Sequence, residues 1–285
     1  MRSHRAGRPT RWLRATALGV AAAAALTACG IAGASESSVA SKERLVIGVN
    51  ADQPGLGLKT GGGYRGFDVE IAKQIARFMK VTDVEFKTIT SATREKVLRD
   101  GEVDLVVGSY SITPERKTEV AFAGPYYVTH QSILVRAADA ARVKTVHDLA
   151  GRRVCMVPRS VSFPRVQKER GVPALPVEAS GYNDCLTKLV SKQLDAVSTD
   201  DLILAGLFAK NATDGGPALT LVKTSFSDEP YGVGIKQGDV DGCEAVNKAI
   251  TRMYQQGIPA KLLQAQFGSS GLEFTKTVPQ FEGCE

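Results

Sequence analysis

Apolar and polar positions alternate along the chain with two different periods. At 45–49 a short apolar run reads as a strand. From Asp68 to Met79 the apolar residues fall at 69, 71, 72, 75, 78 and 79, the spacing of an amphipathic helix. A strand at 84–86, a helix at 92–99 closed by Asp100-Gly101, and a buried strand at 103–107 follow. Thr113-Pro114 has the form of an N-cap with proline at the first helical position. A second run repeats this order: strand 153–157, helix 182–191, strand 194–198 and helix 202–209. In both runs a helix, a short turn and a strand opening with Asp (Asp104, Asp195) follow one another. A strand at 231–235 and helices at 242–256 and 259–267 end the pattern. Strands alternating with helices predict α/β architecture, here as two similar lobes. The glycines of 53–65 predict turns, since no Lys-Ser/Thr follows them to make a phosphate cradle.

The first residues follow neither period. Residues 2–14 carry five arginines and no carboxylate, and 15–28 are small and apolar. This predicts a signal peptide over 1–28, its apolar run too short to span a bilayer. Leu26-Thr27-Ala28-Cys29 resembles the lipobox of bacterial lipoproteins, which implies cleavage before Cys29 and lipidation of its thiol. Residues 29–43 then form a lipidated tether on the outer face of the cell membrane. The formal charge of +6 changes meaning accordingly. Without residues 1–28 there are 31 basic and 30 acidic side chains, a net +1, which gives no electrostatic reason to expect a nucleic-acid partner. Cys155, Cys185, Cys243 and Cys284 remain, an even number for an oxidising compartment, with three connectivities open. Histidines only at 4, 130 and 147, and no C-x-x-C, argue against structural zinc.

Gly66-Phe67-Asp68-Val69-Glu70-Ile71-Ala72 resembles the fingerprint of the family 3 solute-binding proteins of polar amino-acid ABC importers. The resemblance continues through 101–105, Ser111 to Lys117, Phe122 to Tyr127, Asp195-Ala196-Val197 with Asp200, and Gly232-Val233-Gly234. Asp52-Gln53-Pro54-Gly55 and the placement of Cys155 and Cys185 look similar to the glutamate-binding branch of actinobacteria. The resemblance implies a two-lobed periplasmic-binding-protein-like α/β fold, with lobe one at 44–134 plus 229–285, lobe two at 136–226, and crossings near Val135 and Asp228. Keeping each disulfide within one lobe pairs Cys155 with Cys185 and Cys243 with Cys284. Other pairings would tie the lobes together across the hinge.

The ligand set is carried over position by position. Arg116, in a helical first turn, has a guanidinium and free N–H groups beside it, a carboxylate site. The resemblance makes it the clamp for the α-carboxylate; the plain alternative is a surface arginine paired with Glu115 or Glu119. Ser111 matches a residue that contacts both α-groups, and Ser109 lies at the same strand end. Asp200 matches the partner of the α-ammonium; otherwise it caps the next helix, a part Asp201 can also take. The second lobe usually offers a Gly-Ser/Thr-Thr loop, here replaced by Arg159-Ser160-Val161-Ser162, leaving the backbone of Val161 as a donor. Ser91 and Arg94 match positions that hold a distal carboxylate, unless Arg94 is an exposed residue balanced by Glu95. Asn50 stands where relatives often carry a second basic residue, which Arg159 can replace, and Tyr182 caps the pocket. The expected protein is a monomer that binds glutamate, aspartate or glutamine without a cofactor and delivers it to an ABC permease. The rival is an enzyme of the same fold, a dehydratase or cell-wall lytic domain. A substrate lacking an amine would leave Asp200 buried and unpaired.

Overall fold

A computed structural model describes residues 38–275 and 277–284. The signal peptide, Cys29 and the first part of the expected tether lie outside them. Within the tether's expected range, Val39–Ser41 form a turn of 3-10 helix instead of free chain. Val39 is buried in the core, and its N–H donates to Asp239 Oδ2 at 2.9 Å.

Strand β1 (Arg44–Asn50) opens the first lobe, followed by a small antiparallel sheet of β2 (Asp52–Gln53), β3 (Gly57–Thr60) and β4 (Gly63–Arg65). Helix α1 (Phe67–Phe78) buries Phe67, Ile71, Ala72, Ile75 and Ala76 on the expected face. Its N-cap Gly66 has φ 126°, and a Cβ there would lie 2.2 Å from Leu56 O, so no side chain fits. β5 (Asp83–Ile89), α2 (Arg94–Arg99), β6 (Leu105–Val106) and α3 (Pro114–Lys117) complete the run. The strand expected at 103–107 pairs only at Leu105–Val106, because Asp104 acts through its side chain. Asp104 N donates to Val46 O at 2.7 Å, and its Oδ2 accepts from Val46 N at 2.7 Å. In the second lobe Asp195 makes the same exchange with Arg153, at 2.8 and 2.9 Å. The repeated Asp is thus a repeated joint, a carboxylate satisfying the donor that a longer strand would have met.

β7 (Ala121–Arg136) carries the chain into the second lobe. There follow β8 (Arg153–Met156), the single turn α4 (Ser162–Pro164), β9 (Leu175–Glu178), α5 (Tyr182–Val190), β10 (Val197–Asp200), α6 (Asp201–Thr213) and β11 (Leu219–Val222). β12 (Asp228–Ile235) returns to the first lobe, where α7 (Val240–Gln255) and α8 (Ile258–Phe267) pack. The order β10-β7-β12-β6-β1-β5 makes one continuous sheet, β1 parallel to β5 and β6, with β12 antiparallel to β6 and β7. β7 pairs with β12 up to His130 and with β10 from Gln131, so the change of lobe falls between those two residues. Val135, where a crossing was expected, lies inside the second lobe's own core with Ile133, Val154 and Phe163. β7 leaving and β12 returning pair side by side at the crossing, a two-strand neck between the lobes. Disulfides join Cys155 to Cys185 and Cys243 to Cys284. Among the described residues, no helix is long and apolar enough to cross a membrane.

Candidate functional site

Between the lobes, Ser91, Arg94, Ser109, Ser111, Arg116, Ser160, Val161, Tyr182 and Asp200 line one cavity, joined by Ser162 and Ile203. It has a volume of about 10 Å³, room for about one water. Nine of the eleven expected ligand residues therefore converge, from both lobes. Asn50 and Arg159 stand apart from them.

Asn50 is buried behind the wall. Its amide donates to Gly108 O at 2.9 Å, Ser109 Oγ at 3.1 Å and Gln53 Oε1 at 3.2 Å. It thereby holds Ser109 in place and does not line the cavity. Ser109 is fixed further, its N–H donating to Asp68 Oδ2 at 2.8 Å and its Oγ to Gln53 Oε1 at 2.9 Å, in a left-handed φ of 42°. Asp68, from the Gly-Phe-Asp motif, also accepts from Tyr126 OH at 2.8 Å. Burial pushes its carboxyl up to about 6, against the pull of those hydrogen bonds.

Arg116 follows from the N-cap, since Thr113 Oγ1 accepts its backbone N–H and Pro114 starts the turn. Arg116 is 6% exposed, which removes the surface alternative. Nη1 donates to Ser111 O at 2.6 Å and Nη2 to Arg159 O at 3.0 Å, and the guanidinium lies 5.1 Å from the Tyr110 ring centre. Burial, with Arg94 adding to it, lowers its pKa to about 9. Arg94, 2% exposed, stacks 4.0 Å from the same ring centre, and its Nε has no hydrogen-bond partner. The alternative of an exposed Arg94 is thus not what the fold makes.

Asp200 is the N-cap residue of α6, but its side chain makes no capping bond. It turns inward, where Oδ2 accepts from Tyr231 OH at 2.6 Å and Oδ1 is left without a partner. Burial, then the nearby Glu229, raises its pKa well above the carboxylate range. Asp201 bonds the Thr129 hydroxyl. On the opposite wall, Tyr182 OH lies 2.8 Å from Ser160 Oγ, 3.0 Å from Ser162 Oγ and 2.9 Å from Thr199 Oγ1. A hydroxyl shared by three others sets the 160–162 loop against α5. The Tyr182 N–H donates across the cleft to Asp52 Oδ2 at 2.9 Å.

Arg159 explains the missing glycine. Its φ is 59°, in the left-handed region where glycine costs least. An arginine is held there by ion pairs to the first lobe, Nη2 to Glu119 Oε1 at 2.8 Å and Nε to Glu95 Oε2 at 3.3 Å. It lines an outer cavity of about 560 Å³ beside the first. Glu95, weighed in the sequence only as a balance for an exposed Arg94, is itself buried. It is 2% exposed and lies among Arg94, Arg116 and Arg159. Two consecutive buried charges on a six-residue helix leave no periodic signal; the one clue was its neighbour Arg94.

A guanidinium, Arg116, and a carboxyl group, Asp200, face one cavity, with the buried guanidinium of Arg94 beside them. This suits a small molecule carrying a carboxylate and an ammonium group. Comparison with known proteins agrees. The profile of the bacterial extracellular solute-binding proteins, family 3, matches residues 45–269. The chain is 34% identical over 280 residues to the glutamate-binding protein GluB of Corynebacterium glutamicum, covering 94% of this chain and 92% of that one. It is 34% identical over 248 residues to the ABC transporter glutamine-binding protein GlnH of Bacillus subtilis, covering 81% and 88%. An ancestral arginine-binding protein bound to arginine superposes with a TM-score of 0.72 at 30% identity, over 80% of this chain and 99% of that one. An ancestral amino acid-binding protein, a precursor of cyclohexadienyl dehydratase, reaches 0.69 at 30% identity, over 79% and 96%. The chain belongs to the family 3 bacterial extracellular solute-binding proteins.

Proposed function

We propose that this protein is the extracytoplasmic binding subunit of an amino-acid ABC importer and that its preferred ligand is glutamate. The observation that carries the ligand is Arg94, a buried guanidinium whose Nε makes no hydrogen bond, in the cavity that also holds Arg116 and Asp200. Arg116 takes the α-carboxylate, Asp200 Oδ1 the ammonium, and Arg94 with Ser91 the distal carboxylate. Ser109, Ser111, Ser160, the Val161 backbone and Tyr182 complete the polar lining. The two lobes part about the two strands of the neck to admit the ligand. They close over it without chemistry, as a monomer, and the closed surface is read by the permease. Cys29 tethers the protein by lipid to the outer face of the membrane. The relatives are named as binding proteins, which supports a binder over an enzyme. A thermal-shift screen of the twenty amino acids tests the reading. Glutamate at about 100 times its Kd should add about 2.7 kcal/mol of stability. A shift with only basic or aromatic amino acids would overturn it.

A further inference from the structure

Glu95 has a place that the ligand scheme leaves unused. Its Oε1 lies 3.5 Å from Arg94 Nε and 3.6 Å from Arg116 Nε, and its Oε2 lies 3.3 Å from Arg159 Nε. These distances exceed the usual N–H···O range, and Oε2 makes no hydrogen bond. Glu95 thus acts on the arginines by charge while leaving their donors uncommitted. It lines the outer cavity, behind the guanidiniums as seen from the inner one. Glu95 already sets one negative charge beside the buried guanidiniums of Arg94 and Arg116. A ligand with a neutral side chain leaves that pairing as it is, whereas a glutamate side chain adds a second negative charge against the guanidinium that Glu95 already shares. Two carboxylates on one cation repel, and an amide in place of one does not.

From this we infer that Glu95 is a specificity-determining residue: a built-in counter-ion to Arg94 that makes the pocket take glutamine alongside glutamate. The inference rests on the acidic-ligand reading above. Isothermal titration of both amino acids into the wild type, Glu95→Gln and Glu95→Asp is the test. In the wild type the two Kd values should lie within about tenfold of each other. Glu95→Gln should widen the ratio in favour of glutamate by at least about tenfold, mainly through tighter glutamate binding. Glu95→Asp, which keeps the charge, should hold the ratio within about threefold. Equal shifts for both ligands in Glu95→Gln would reduce Glu95 to a structural part. Should Glu95→Gln fail to fold, the wild type decides alone, since rejection of glutamine by more than about a thousandfold sinks the inference. Binding of neither ligand, but of some other amino acid, overturns the glutamate reading and this inference with it. Binding of both with a ratio untouched by Glu95→Gln overturns only the inference.

Discussion

Arg116→Met should separate binding from stability. The residue is 6% exposed, and its pKa falls from an ordinary 12.5 to about 9, chiefly through burial. At 1.36 kcal/mol per pH unit, holding that charge inside the folded protein costs about 5 kcal/mol. Against this stand two charged hydrogen bonds, to Ser111 O and Arg159 O, at about 1.5–3 kcal/mol each. The terms nearly cancel, so a methionine of similar length should change folding stability by no more than about 2 kcal/mol. Binding behaves differently, because the ligand's carboxylate would lose its only full counter-charge. A loss of about 2–5 kcal/mol, or about 30- to 5,000-fold in Kd, follows. Urea unfolding of the free protein and calorimetric titration with glutamate measure the two quantities independently. If Arg116→Met lost more than about 4 kcal/mol of stability, the guanidinium would be a fold-holding group and its burial cost would be misjudged. If it kept glutamate affinity within threefold, the carboxylate would bind elsewhere.

The cleft makes further expectations. Asp200 must ionise to meet an ammonium, so binding releases a proton and affinity falls as pH drops; titration calorimetry from pH 5 to 8 should show this slope, and Asp200→Asn should bind weakly with the slope flattened. Asp68, raised from 3.8 to about 6, keeps a proton in the folded state that the unfolded chain has lost in between. Stability from this group is therefore present at pH 4 and lost by pH 6, about 3 kcal/mol in all, and unfolding of wild type against Asp68→Asn at pH 4.5 and 7 should differ accordingly. Arg159→Gly should relieve the left-handed backbone, stabilising the lobe by about 1 kcal/mol, yet release two interlobe ion pairs. Small-angle scattering should then find a more open free protein, and an unchanged radius of gyration would deny Arg159 a closing role.

Much of this protein is written in local pattern. The spacing of Ile71, Ala72 and Ile75 on α1, the Thr113-Pro114 cap that positions Arg116, and the repeated Asp at 104 and 195 are readable because each is satisfied by neighbours a few residues away or by a strand of the same unit. Arg116 and Asp200 could be named as candidates because the motifs around them resemble those of the family. What local pattern does not contain is which side of a charged residue faces inward. Arg94 and Glu95 follow each other on one short helix and both are buried, because α2, Tyr110 and the incoming loop of the second lobe close around them. The Asn50 amide is taken up by the carbonyl of Gly108, a partner 58 residues away. The left-handed turn at Arg159 is sustained by Glu119 and Glu95 from the opposite lobe. Charge burial depends on partners brought together by closure of two lobes, and the free energy of a buried charge is set by those partners rather than by sequence neighbours.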